Sequence, residues 1–124
     1  MDALAAILVA VVAAIHVYID VLEMLLWKTP RGMRAFGTDA AFAEQSATLA
    51  ANQGLYNGFL VAGLVWGLLA PPDPVGFQVT VFFLGCVIVA GLFGAATVSR
   101  RILIVQALPA AVALIAVLAA ANAG

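Results

Sequence analysis

Three acid-base side chains interrupt an otherwise apolar stretch near the start of the chain: His16, Asp20 and Glu23. Their spacing of four and three residues puts them on one face of a helix. Ionisable groups inside a membrane-spanning helix are unfavourable by about 3 kcal/mol each on insertion scales, so they usually face a bundle interior and serve a function. Carboxyl and imidazole groups can exchange protons with a bound molecule. The stripe therefore predicts a site in which Glu23, His16 and Asp20 are the candidate catalytic acid or base groups.

A second polar group follows about thirty residues later, and its side chains are mostly amides: Gln45, Thr48, Asn52, Gln53, Tyr56 and Asn57. If two antiparallel helices carry the two groups, the rise of about 1.5 Å per residue places them at the same depth. We therefore expect Glu23 or His16 to lie within hydrogen-bond or single-water reach of the second group. The candidate ligand-binding residues are Asn52, Gln53, Tyr56, Asn57 and Trp27.

A metal centre is the narrower alternative for the first stripe. His16, Asp20 and Glu23 could supply one nitrogen and two carboxylate oxygens, a set that suits zinc, manganese or iron. The spacing is weakly specific, and the chain has a single histidine and a single cysteine. The sequence therefore favours a site without metal and identifies no cofactor.

The elements that position these residues must be membrane helices. Of the 124 residues, 66% are hydrophobic and 9% charged, and the mean hydropathy is +1.19, far too apolar for a soluble domain of this size. A helical span needs about 20 predominantly apolar residues. The sequence predicts one all-α transmembrane domain over residues 1–124, a four-helix bundle with spans at about 3–27, 47–70, 76–98 and 102–121. The net charge of −1 gives no indication of nucleic-acid binding.

The basic residues predict the orientation. All five lie in the first and third connections between the predicted spans: Lys28, Arg31, Arg34, Arg100 and Arg101. Basic connections face the cytoplasm, so we expect a cytoplasmic loop at about 28–46 and both termini outside. Pro30 and Gly32 are expected to break the helix in that loop. Thr38-Asp39 resembles a helix N-cap, which predicts a second helix starting near Ala40.

Small residues recur at helix-contact spacing, including Gly54 with Gly58, Gly63 with Gly67, and Gly91 with Ala95. Such pairs let helix backbones approach closely in lipid. They predict packing within the bundle and are also compatible with a homo-oligomer.

Two strings carry a family resemblance: His16-Val-Tyr-Ile-Asp-Val-Leu-Glu-Met-Leu-Leu-Trp27 and Ala51-Asn-Gln-Gly-Leu-Tyr-Asn-Gly-Phe-Leu60. They resemble the small bacterial and fungal membrane proteins grouped as domain of unknown function 1304. The resemblance covers essentially the whole chain and implies a four-span protein, here of a bacterial inner membrane. The pattern matches at His16, Glu23, Trp27, Asn52, Gln53, Gly54, Tyr56 and Asn57.

The function that these observations favour is binding of a small amphipathic or lipid-like molecule in a polar pocket between the first two helices, open to the cytoplasm. Acid-base chemistry on that molecule is compatible with the residues, and they do not decide whether the protein is an enzyme. One alternative is a transporter or channel subunit in which the ionisable groups relay protons or ions. Another is a structural subunit of a membrane complex, with the polar groups acting only as hydrogen-bonded glue between helices.

Overall fold

The computed structural model describes residues 1–123, and this part of the chain is mostly helical and contains no strand. Five helices follow one another: α1 (Ala3–Met24), α2 (Pro30–Phe36), α3 (Ala40–Leu69), α4 (Phe77–Thr97) and α5 (Leu108–Ala123). A short turn, Pro72–Gly76, leads into α4, and a wide π-helical turn, Leu103–Ala107, leads into α5. The predicted all-α helical fold is confirmed.

Three segments are long and apolar enough to cross a membrane: Ala3–Met24, Pro72–Thr97 and Leu103–Ala123. Most of each segment is unburied by the rest of the chain, as expected for helices that face lipid. The chain is therefore a membrane protein, as predicted. The predicted span 47–70 lies within α3 except for its last residue, and α3 is continuous but too polar in its first half to belong with these three. The fourth crossing stays a prediction.

The first connection departs from its prediction, because residues 30–36 form the short helix α2 rather than a helix-breaking loop. Pro30 occupies the first turn, where its missing N–H removes no hydrogen bond. The Thr29 side chain accepts a hydrogen bond from the Gly32 N–H at 3.3 Å and so caps the helix. Gly37 ends it in the left-handed conformation (φ 67°) that glycine adopts without strain. Pro30 therefore starts a helix here.

The start of α3 agrees with the sequence prediction. Asp39 Oδ1 accepts a hydrogen bond of 2.8 Å from the Phe42 N–H, and α3 begins at Ala40. This contact satisfies one of the backbone donors that the first turn of a helix leaves unpaired. The local capping signal was sufficient to place the boundary.

The contacts of the chain divide it into two compact units. The first unit contains Met1–Ile15 and the chain from Leu60 onward, and its buried cluster is aliphatic: Ala5, Val9, Val12, Ala13, Leu64, Leu84, Val87, Ala110, Ala113 and Val117. The second unit is His16–Phe59 and contains the end of α1, all of α2 and the first part of α3. The predicted polar site lies entirely in this second unit.

Candidate functional site

A hydrogen bond between α1 and α3 forms the centre of the candidate site. The Asn57 side-chain amide donates to Glu23 Oε1 at 2.5 Å. Glu23 is 8% exposed and Asn57 is 4% exposed, so both polar groups are removed from solvent. A buried carboxyl needs such a donor, because burying a polar group without one is unfavourable. This contact confirms the predicted pairing of Glu23 with the amide-rich start of the second long helix.

Two glycines of α3 make room for the carboxyl groups of α1. A Cβ atom placed on Gly54 would lie 3.1 Å from Asp20 Oδ1 and 3.2 Å from Glu23 Cβ. A Cβ on Gly58 would lie 3.2 Å from Asp20 Oδ2. The spacing of Gly54 and Gly58 predicted close helix packing, and here the packing is against acidic side chains. Asp20 Oδ1 is buried and has no hydrogen-bond partner within residues 1–123, so one carboxylate oxygen beside Glu23 remains unsatisfied.

Trp27 joins the three helices of this unit at the end of α1. Its indole N–H donates to Ser46 Oγ of α3 at 3.0 Å, and Ser46 in turn donates to the Phe42 carbonyl at 2.6 Å. Its ring packs against Phe36 of α2, with ring centroids 4.8 Å apart. A tryptophan held at both its polar and its apolar surface has few alternative orientations, so it forms a fixed wall.

A recess of about 270 Å³ opens beside this wall. Glu23, Lys28 and Thr29 give it polar groups, while the remaining lining is largely apolar: Met24, Leu25, Trp27 and Ala47. Lys28 Nζ lies 3.6 Å from Glu44 Oε2, and both side chains are exposed, so this ion pair is a weak constraint. The recess therefore combines a buried carboxyl, an exposed cation and an apolar wall.

His16 is fully buried, seven residues before Glu23. The two therefore lie about 10 Å apart along the axis of α1. In the part of the chain that is described, no three His, Cys, Asp or Glu side chains are close enough together to hold a metal ion. His16, Asp20 and Glu23 thus follow one another along α1 without coming together as a metal centre.

The predicted ligand-binding residues separate into two groups. Asn57 and Trp27 lie beside Glu23, and together with Asp20 these residues form the Glu23 cluster. Asn52, Gln53 and Tyr56 are exposed, and none of them lines the recess. On a helical wheel Asn52 lies about 140° from Asn57, so a single helix cannot present both to α1. The glycines Gly54 and Gly58 could have identified the contact face, because they lie on the side of α3 that carries Asn57.

The polar partner of Trp27 and two polar residues of the recess lie outside the set predicted from the sequence. Ser46, Lys28 and Thr29 were not among the predicted site residues, although all three are polar and close in sequence to the membrane-helix ends. Thr29 also donates to the Leu26 carbonyl at 2.6 Å, which satisfies a backbone acceptor beyond the end of α1. The signal available in the sequence was that all three are polar residues beside the ends of the predicted helices.

Comparison with known families agrees with the resemblance found in the sequence. The family model described as "Protein of unknown function (DUF1304)" matches residues 10–118. No curated protein and no solved structure gives a match. The family match includes every residue of the Glu23 cluster and the recess, together with most of α1 and α5. Since the match covers far more than half of the 124 residues, the chain belongs to the DUF1304 family.

Proposed function

We propose that this membrane protein binds a small amphipathic or lipid-like molecule in the recess beside Glu23. The observation that supports this most directly is the double role of the Glu23 side chain, which is buried against Asn57 and also lines the recess. Asn57 satisfies Oε1 only, so the carboxyl retains acceptor capacity for a ligand. Glu23 would bind the polar group of the ligand.

The lining of the recess supports the amphipathic class of ligand. Met24, Leu25 and the Trp27 ring offer apolar surface, whereas Lys28 offers an ammonium group and Glu23 a carboxyl group. Binding sites for small molecules commonly have this composition, with a few placed polar groups in an apolar wall. A molecule with a polar head and a short apolar part matches both surfaces.

The same residues support acid-base chemistry as the finer form of the proposal. Asp20 and Glu23 are neighbouring carboxyl groups on one face of α1, and Asp20 Oδ1 has no partner within residues 1–123. Glu23 would be the group in contact with the ligand. The neighbouring Asp20 carboxyl would influence the protonation of Glu23. His16 would belong to this network as a buried proton acceptor on the same face.

The proposal includes four membrane crossings in a bacterial inner membrane, with both termini outside the cytoplasm. α3 has 30 residues and is therefore about 45 Å long, enough to cross a hydrocarbon core of about 30 Å. Its crossing would make every basic residue of the chain cytoplasmic. The recess beside Lys28 would then open towards the cytoplasm.

Native mass spectrometry of the detergent-purified protein tests the ligand proposal, with Glu23→Gln as the decisive variant. Glutamine keeps the shape of the side chain and an acceptor for Asn57, and it removes the carboxyl. We expect a small molecule to be retained by the parent protein and lost from Glu23→Gln, with thermal stability equal to or above that of the parent, because functional carboxyls are often destabilising.

Asp73→Asn is the matched control, since it also replaces a carboxyl by an amide, and Asp73 is exposed and does not line the recess. It should retain the ligand. If Glu23→Gln instead lowers the free energy of unfolding by about 1–3 kcal/mol and ligand content is the same in all three proteins, Glu23 is only a structural contact between helices. That result would reject the proposed site.

A further inference from the structure

One face of α3 carries a row of polar side chains that the site does not use. Gln45, Thr48, Asn52 and Tyr56 follow one another at spacings of three, four and four residues. This spacing places them within about 80° of one another on a helix. We call these four residues the polar stripe.

All four side chains of the polar stripe are exposed, and Tyr56 is 55% exposed. No side-chain hydrogen bond within residues 1–123 engages them, and the Tyr56 ring packs edge to face against the Phe59 ring, with centroids 5.6 Å apart. Asn57, on the opposite side of α3, is 4% exposed and bonded to Glu23. The chain therefore satisfies one polar face of α3 and leaves the other without partners.

If α3 crosses the membrane as proposed, part of the polar stripe lies in the bilayer. Water satisfies an exposed amide on a soluble helix, but lipid cannot, so Asn52 and Tyr56 would need a protein partner in the bilayer. Polar side chains between membrane helices supply such contacts in bundles. The inference therefore rests on the crossing by α3 and is independent of ligand binding.

The chemistry of the polar stripe identifies its partner. Copies of one membrane protein share one orientation, so symmetric association about an axis normal to the membrane brings each residue against its own counterpart. A carboxylate or an ammonium group would be repelled by its counterpart. Amides and hydroxyls are both donors and acceptors, so each residue of the polar stripe can bond to an identical residue. None of the four carries a charge at neutral pH.

We propose that the polar stripe is a homo-oligomer interface, at which a second copy of this chain packs in parallel with Asn52 near the symmetry axis. The flanking side chains fit such a contact, because Leu49, Leu55 and Phe59 are large, apolar and exposed. They would surround the central hydrogen bonds with apolar packing, an arrangement typical of a polar residue within a helix seam.

Disulfide cross-linking in native membranes tests the interface. Cys86 is the only cysteine, so Cys86→Ala provides a thiol-free background. Into it we would introduce Asn52→Cys or, as the matched control, Gln53→Cys. Both positions are exposed and adjacent, but they point about 100° apart around α3. Oxidation should convert most of the Asn52→Cys protein, and less than a tenth of the Gln53→Cys protein, into a species of twice the chain mass.

Native mass spectrometry of Asn52→Leu and Gln53→Leu supplies a second measurement that needs no thiol chemistry. The Asn52 variant should shift to monomer, while the Gln53 variant should keep the parent's oligomeric state. Equal cross-linking at both positions, a monomeric parent, or an Asn52→Cys adduct whose mass is not a multiple of the chain would overturn the proposal. Rapid labelling of both cysteines by a water-soluble maleimide would also overturn it, by placing this part of α3 in water. Ligand content is measured separately, so failure here leaves the recess proposal intact.

Discussion

The two units of the chain bury different kinds of side chain, although α1 and α3 contribute to both. In the first unit the buried side chains are aliphatic, apart from Thr80. In the second unit His16, Glu23 and Asn57 are buried. Along α1 the change occurs within one turn, from Val12 and Ala13 to His16. One membrane helix can therefore serve packing in one half and polar chemistry in the other.

Glycine has a different use in two of the helix contacts, one from each unit. In the first, a Cβ placed on Gly91 would lie 2.7 Å from the Ala107 backbone nitrogen, so glycine permits contact between two backbones. In the second, a Cβ on Gly54 would lie 2.5 Å from Met24 Cγ, the end of a flexible side chain. Backbone cannot move aside as a methionine side chain can. The contact at Gly91 should therefore tolerate added volume less well than the contact at Gly54.

Of these two glycine contacts, the larger effect is expected from Gly91→Ala. The new methyl group would overlap the backbone of Ala107, so we expect a loss of about 3 kcal/mol in the free energy of unfolding. Gly85→Ala on the same helix is the control, because a Cβ there meets nothing within 4 Å. It should be as stable as the parent or more stable by up to about 1 kcal/mol, since alanine favours helix. Denaturation by SDS in mixed micelles measures both, and equal losses would show that α4 lacks the close contact.

The next effect concerns the buried pair of the second unit. Asn57→Leu removes the donor and leaves Glu23 Oε1 buried without a partner, which should lower the free energy of unfolding by about 2 kcal/mol. Replacing both residues, as Glu23→Leu with Asn57→Leu, should recover most of that loss, because no polar group then remains unpaired. Gln53→Leu, at an exposed position of the same helix, should change stability little.

The same mixed-micelle denaturation of the parent, Glu23→Leu, Asn57→Leu and the double variant gives the coupling energy between Glu23 and Asn57. A double variant whose loss equals the sum of its two single losses would mean that the residues do not interact. In that case the second unit would be held together by apolar contacts, as the first unit is.

Much of the fold could be predicted from local sequence signals. Apolar length identified the membrane helices, and the Asp39 cap placed the start of α3, because both depend on residues close together in the chain. The helix α2 was missed because Pro30 was interpreted as a helix breaker. Thr29 before it is a helix N-cap and Gly37 after it ends the helix. Together they indicate that the proline lies in the first turn of a helix.

The site could be predicted only as far as the helix faces. Glu23 and the amide-rich segment were identified as partners, but the sequence did not select Asn57 over Asn52, because both lie on the same two turns of α3. The choice depends on which side of α3 packs against α1. That side is set by Gly54 and Gly58, where absent side chains accommodate Asp20 and Glu23. The spacing of the two glycines marks this face in the sequence, but the acidic side chains that it accommodates belong to another helix and cannot be read from one segment.

The smallest effect should come from Thr80, the buried polar residue of the first unit. Its Oγ1 has no hydrogen-bond partner within residues 1–123, and it occupies the space left by Gly67, where a Cβ would clash with it. If the first unit is stabilised by packing alone, this hydroxyl contributes nothing through hydrogen bonding. Thr80→Val keeps the branched shape and replaces the hydroxyl by a methyl group. It should therefore leave the free energy of unfolding unchanged or raise it by up to about 1 kcal/mol, since no buried donor remains unsatisfied.

Thr97→Val is the matched control for Thr80→Val, because the Thr97 hydroxyl donates to the Phe93 carbonyl at 2.7 Å in an exposed part of the same helix. Its loss should lower the free energy of unfolding by about 0.5 kcal/mol, the lower end of the range for a hydrogen bond. Mixed-micelle denaturation again provides the measurement. If Thr80→Val is destabilised by more than its control, the Thr80 hydroxyl makes a contact that matters. The first unit would then depend on a buried polar group, as the second does on Glu23 and Asn57.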